Sequence, residues 1–136
     1  MKEPFFVTLF SLSSHHPFRV PEGEAQNFPE GPIPILKSVR YTDSALQDFF
    51  QEIEKYPWYQ DTLFILTADH TSTHYLKNFT NLIGSYEVPL LFYHPKVDLR
   101  QLAAQSFASH VDVMPTVLDL LEVSRDQILP FGASVF

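Results

Sequence analysis

With 136 residues, 45% of them hydrophobic and 18% charged, the chain is long enough for one ordinary domain with its own core and too apolar for intrinsic disorder. Nine Lys and Arg against sixteen Asp and Glu leave a net charge of −7, which excludes the basic footprint of a nucleic-acid or anionic-membrane binder. The absence of cysteine excludes disulfide scaffolds, thiolate metal sites and cysteine nucleophiles.

The chain opens on Phe5-Phe6-Val7-Thr8-Leu9-Phe10, an aromatic and β-branched run bounded by Pro4 and by Ser11-Leu12-Ser13-Ser14. Its length and flanks predict a strand buried on both faces. It lacks the cationic start and length of a secretory signal, and no apolar run reaches the ~18–20 residues of a membrane span. A core strand this close to residue 1 reads as a chain that begins inside a domain. From Ser11 to about Leu36, Pro17, Pro21, Pro29, Pro32 and Pro34 remove donors and fix φ, so a long ordered loop is expected.

Tyr41 to Tyr56 is predicted helical, with Thr42 or Asp43 as N-cap. Ala45, Leu46, Phe49, Phe50 and Ile53 lie on one face, and Pro57 ends it. A second buried strand is expected at 62–67, a polar loop to Ser85, and a third strand at Val88 to Tyr93 with Pro89 at its entrance. Leu99 to Phe107 is ambiguous. Asp112 to Leu121 is expected to be a short helix with Pro115 in its first turn, and residues 130–136 loop or sheet edge. Buried strands alternating with helices predict an α/β fold with a mainly parallel sheet.

Ligands in such sheets bind beyond the carboxyl ends of the strands, and two polar clusters follow predicted strands: Ser13-Ser14-His15-His16-Pro17 and Thr67-Ala68-Asp69-His70-Thr71. Adjacent side chains alternate within a strand, but where the chain turns at its end both can face one ion. A carboxylate with an imidazole suits Zn or Mn. The competing reading of Asp69-His70 is an Asp capping the next turn beside a solvated His. The pair supplies two ligands where a tetrahedral site takes about four. His15 either contacts an anion or a metal or satisfies loop carbonyls. His74 follows His70 by four residues without a helix to link them, and His110 reads as packing beside a helix start. Ser13 and Ser14 lack the G-x-S-x-G elbow of a serine hydrolase.

These segments in this order resemble the sulfatase-type branch of the alkaline phosphatase superfamily. They are Phe5-Phe6-Val7-Thr8-Leu9, Ser13-Ser14-His15-His16-Pro17-Phe18, Tyr41-Thr42-Asp43, Asp61 through Thr71, Val88 through Tyr93 and Val111 through Leu118. The nearest likeness is to lipoteichoic-acid-synthase-like phosphoglycerol transferases. The resemblance implies a partial three-layer α/β/α sandwich, residues 1–136 being the C-terminal part of a catalytic domain. It implies that Asp69 and His70 bind a catalytic divalent metal (Mn, Zn, Mg or Ca) and that His15 contacts the phosphate or sulfate of an ester substrate. His16 falls on a position that varies. The family's nucleophile and a further acidic ligand lie upstream of these motifs, so the expectation is a piece of a phosphate- or sulfate-ester transferase or hydrolase, inactive alone. By the same resemblance the parent is membrane-anchored with an extracytoplasmic catalytic domain, its membrane contact lying in other parts of the parent. The alternative is a non-catalytic metal- or anion-binding module that keeps the fold.

Overall fold

The computed structural model describes residues 4–73, 75–101, 107–124 and 131–136. The chain divides into two units, Met1–Lys55 with Thr71–Tyr86, and Tyr56–His70 with Glu87–Phe136.

In the first unit, Phe5–Phe10 forms no strand. Phe6 is 90% and Leu9 82% exposed, which corrects the expectation of a buried strand. A strand is stabilised by its ladder, and the sheet among the described residues joins only two later segments. The proline-rich stretch is irregular as expected, apart from one helical turn, α1 (Glu22–Ala25), opened by Pro21. The backbone turns sharply at Leu12–Phe18, where His15 N–H donates to Leu12 O and Phe18 N–H to His15 O. The His16–Pro17 peptide is cis.

The long helix, α2 (Ile35–Ile53), begins six residues before the expected start. Pro34 stands at its N-cap with φ −58°, and a proline there costs nothing because the first helical N–H groups have no intrahelical acceptor. Thr42, expected as a cap, is instead inside the helix, where its hydroxyl donates to Ser38 O at 3.0 Å. Ser38 is fully buried and donates to Ile35 O at 2.9 Å. Back-bonding of this kind lets hydroxyls occupy a covered helix face. The loop covers that face: Ser14 Oγ lies 3.2 Å from Thr42 Oγ1, and the ring of Phe28 meets that of Tyr41 edge-on at 5.6 Å. Of the predicted apolar stripe, Ile53 is buried, while Leu46 and Phe49 stay exposed. The helix ends at Ile53, before Pro57.

The second unit holds the sheet. β1 (Phe64–Thr67) and β2 (Leu90–Tyr93) lie where strands are expected, though shorter. They pair antiparallel, Phe64 opposite Tyr93 and Thr67 opposite Leu90, so the expected mainly parallel sheet is not what the described residues form. A parallel pair needs a helical crossover, and between β1 and β2 the described chain has only short 3-10 turns at Lys77–Phe79 and Gly84–Tyr86. Tyr59 anchors the sheet: it is buried, its hydroxyl is 2.8 Å from that of Tyr93, and its ring packs on Phe64.

α3 (His110–Leu120) confirms the last predicted helix, with its start two residues earlier. Ser109 and Asp112 form a reciprocal capping box, which puts Pro115 beyond the first turn, inside the helix. The described tail, residues 131–136, is loop as expected, and its last residues turn inward. Val135 is 6% exposed, and its N–H donates to Thr116 Oγ1 at 3.1 Å. Ala133 N–H donates to Asp112 Oδ1 at 2.9 Å, and Phe136 meets Phe92 edge-on. Leu99–Gln101 makes a 3-10 turn; residues 102–106 of the ambiguous piece lie outside the described residues, and Phe107 at its end is exposed.

Candidate functional site

β1 ends at Thr67, and the chain leaves the ladder through Ala68 into Asp69 and His70. The two side chains do converge: His70 Nε2 is 3.5 Å from Asp69 Oδ2, and the side chains are 66% and 58% exposed. An imidazole nitrogen and a carboxylate oxygen this close can both reach one cation from the solvent side, which adjacent residues inside a strand cannot do. Among the described residues no group of three or more His, Cys, Asp or Glu is placed to hold a metal, so the pair is not part of a larger donor cluster there. His74 lies outside the described residues.

His15 belongs to the first unit and is exposed. Its Nδ1 is 2.7 Å from His16 O, and because a carbonyl only accepts, Nδ1 carries the hydrogen. In the neutral ring Nε2 is then an acceptor; only the imidazolium presents a second N–H to an anion. His16 supplies that carbonyl, and its ring meets Phe18 edge-on at 5.6 Å. Phe18 sits at φ 59°, a left-handed turn conformation uncommon for a bulky residue.

His110 is the residue that sequence reasoning undervalued. It is the first residue of α3, and its Nε2 lies 2.7 Å from Ala68 O and 3.4 Å from Thr67 Oγ1. The Ser109-x-x-Asp112 capping signature locates His110 at a helix start, but nothing local to it points at the exit of β1. Below it, Asp112 accepts from the N–H of Ala133 and from that of Ser109, and these bonds hold its carboxyl below the ordinary value against a smaller opposing effect of desolvation.

A model of the family described as Sulfatase matches residues 1–123. The chain belongs to the sulfatase family. Its likeness to lipoteichoic acid synthases of Staphylococcus aureus is 26% identity over 155 residues for the proteins of strains USA300, COL and N315, taking in 100% of this chain and 23% of each of theirs. The chain thus spans about a quarter of the length of these curated relatives. No solved structure matches it. Sulfatase-family membership identifies a domain from a group of phosphoester and sulfoester transferases and hydrolases, which generally use a divalent metal. The donor set of Asp69 and His70, one hard oxygen and one borderline nitrogen, fits such an ion as part of its shell. No helix among the described residues is long and apolar enough to cross a membrane.

Proposed function

We propose that this chain is the C-terminal part of a metal-dependent enzyme that transfers or hydrolyses phosphate or sulfate esters, of the phosphoglycerol-transferase or sulfatase type. The observation that carries the reading is the Asp69–His70 contact at the exit of β1, inside the residues matched by the family model. Asp69 and His70 would hold the divalent ion, with further ligands and the nucleophile supplied by upstream sequence. The ion, when bound, supplies Lewis-acid stabilisation of charge on the nucleophile and on the ester oxygens.

The chain's own residues then divide the remaining work. Asp69 contributes a negative charge that favours the cation, and His70 must be neutral to ligate. His15, donating through Nδ1 to His16 O, contacts the phosphate or sulfate oxygens through Nε2–H as the imidazolium. The parent is membrane-anchored with its catalytic domain outside the cytoplasm, and the 136-residue chain alone does not turn over ester.

Thermal melts with Mn²⁺ or Zn²⁺ test the ligand assignment. A ligand that binds only the folded state at about 100 times its Kd stabilises by about 2.7 kcal/mol, so the wild-type chain melts higher with the ion. The double variant Asp69→Ala, His70→Ala loses that rise. Equal rises in both proteins refute the assignment. Inorganic phosphate tests His15 in the same way: stabilisation that survives His15→Ala removes the anion role.

A further inference from the structure

We infer that His110 is a positioning residue for the Asp69–His70 pair, an inference that rests on the metal-ligand reading above. The β1–β2 ladder ends at the Thr67–Leu90 pair, so Ala68, immediately before the ligands, lies beyond the last strand pair. His110 takes hold of the chain there: its Nε2 is 2.7 Å from Ala68 O. A carbonyl only accepts, so Nε2–H donates to it.

The ring that makes this bond is itself anchored. His110 is the first residue of α3, whose start is closed by the Ser109–Asp112 capping box, with Ser109 N–H donating to Asp112 Oδ2 at 2.7 Å. The other carboxylate oxygen of Asp112 accepts Ala133 N–H. A continuous set of hydrogen bonds within the second unit therefore runs from the tail through the α3 N-terminus to the carbonyl before Asp69. Two exposed side chains on an untethered turn would spend binding free energy on ordering that turn. A donor fixed to a helix start limits the turn before the ion arrives.

The test titrates Mn²⁺ alone into the 136-residue chain, read by calorimetry and by paramagnetic broadening of the Asp69 and His70 NMR signals, beside metal-free melting. Wild type, Asp69→Ala/His70→Ala, His110→Ala and His110→Gln are compared. Loss of a bond that supports a ligand costs about 10–100-fold in metal affinity. His110→Ala is expected to weaken Mn²⁺ binding about tenfold or more, and His110→Gln, whose amide reaches Ala68, to restore it to within about threefold. The metal-free melting temperature should not track these affinities. Unchanged Mn²⁺ affinity in His110→Ala, or a Gln variant as weak as Ala, overturns the inference while leaving the ligand reading intact. No broadening at Asp69 and His70 in wild type, or equal binding by the double variant, overturns the ligand reading and the positioning role with it. If His110→Ala does not fold, His110→Asn replaces it: the shorter amide falls short of Ala68, so only Asn and not Gln should lose affinity, and equal affinities refute the role.

Discussion

Thr116→Val isolates the contact that ties the tail of the second unit to α3. Thr116 is fully buried, its hydroxyl donates to Asp112 O at 2.6 Å, and it accepts the N–H of Val135 at 3.1 Å. Valine keeps the shape and the β-branch and removes only the hydroxyl. Asp112 O retains its helical donor, so little is lost there. The Val135 N–H, in a residue 6% exposed, loses the acceptor that the fold supplies, and leaving a buried donor unsatisfied costs about 1–3 kcal/mol. The expected destabilisation is about 2 kcal/mol, a fall in Tm of roughly 6–10 °C for a chain of this size.

Thr116→Ser provides the control, because it keeps the hydroxyl and deletes one methyl, at about 1 kcal/mol. Urea denaturation followed by circular dichroism measures both variants, and hydrogen exchange of the Val135 amide reports the bond directly. A Val variant as stable as wild type, or more stable than the Ser variant, refutes the claim that this hydroxyl holds the tail. Slow exchange of Val135 in the Val variant refutes it independently.

Asp112, whose carboxyl is held below its ordinary value chiefly by the Ala133 N–H and then by that of Ser109, contributes stability that is present above the unfolded carboxylate value of about 3.9. That contribution is lost as pH falls through the lower folded value, so urea midpoints of wild type drop across this acid window and those of Asp112→Asn drop less; parallel curves disprove the linkage. Gly132→Ala places a side chain at φ +93°, where its Cβ would stand 2.5 Å from Asp112 Oδ1 and from Val111 O. A loss of about 1–3 kcal/mol in urea denaturation is expected. Ile53→Ala, at the buried end of α2, should cost about 2–4 kcal/mol, and a cost below that of a surface substitution would show that Ile53 is not core.

Local chemistry made several elements readable in advance. The continuous apolar runs ending in Thr67 and Tyr93 became β1 and β2, because short β-branched and aromatic stretches between polar turns favour extended chain. An Asp followed by Pro115 and an apolar segment was enough to place α3, which the structure starts two residues earlier, at His110, with Ser109 as its cap. The Asp69–His70 adjacency after a strand left open both a shared ion and an Asp capping the next turn beside a solvated His; the structure puts the two side chains 3.5 Å apart. α2 starts earlier than Pro32 and Pro34 suggest, because proline at a helix entrance is harmless.

What composition and periodicity determined, then, was which segments are apolar and extended, which are helical, and which polar groups follow a strand, all being properties of neighbouring residues. Tertiary structure decided the rest. Strand direction depends on the partner a strand meets, so the β1–β2 pair came out antiparallel, and Phe6–Phe10, apolar enough for a core, is exposed where no ladder among the described residues takes it up. The hydrogen bond from His110 to Ala68 joins residues 42 apart in the chain, and such a contact exists only once α3 and β1 have packed, since no local pattern encodes which carbonyl a ring will reach.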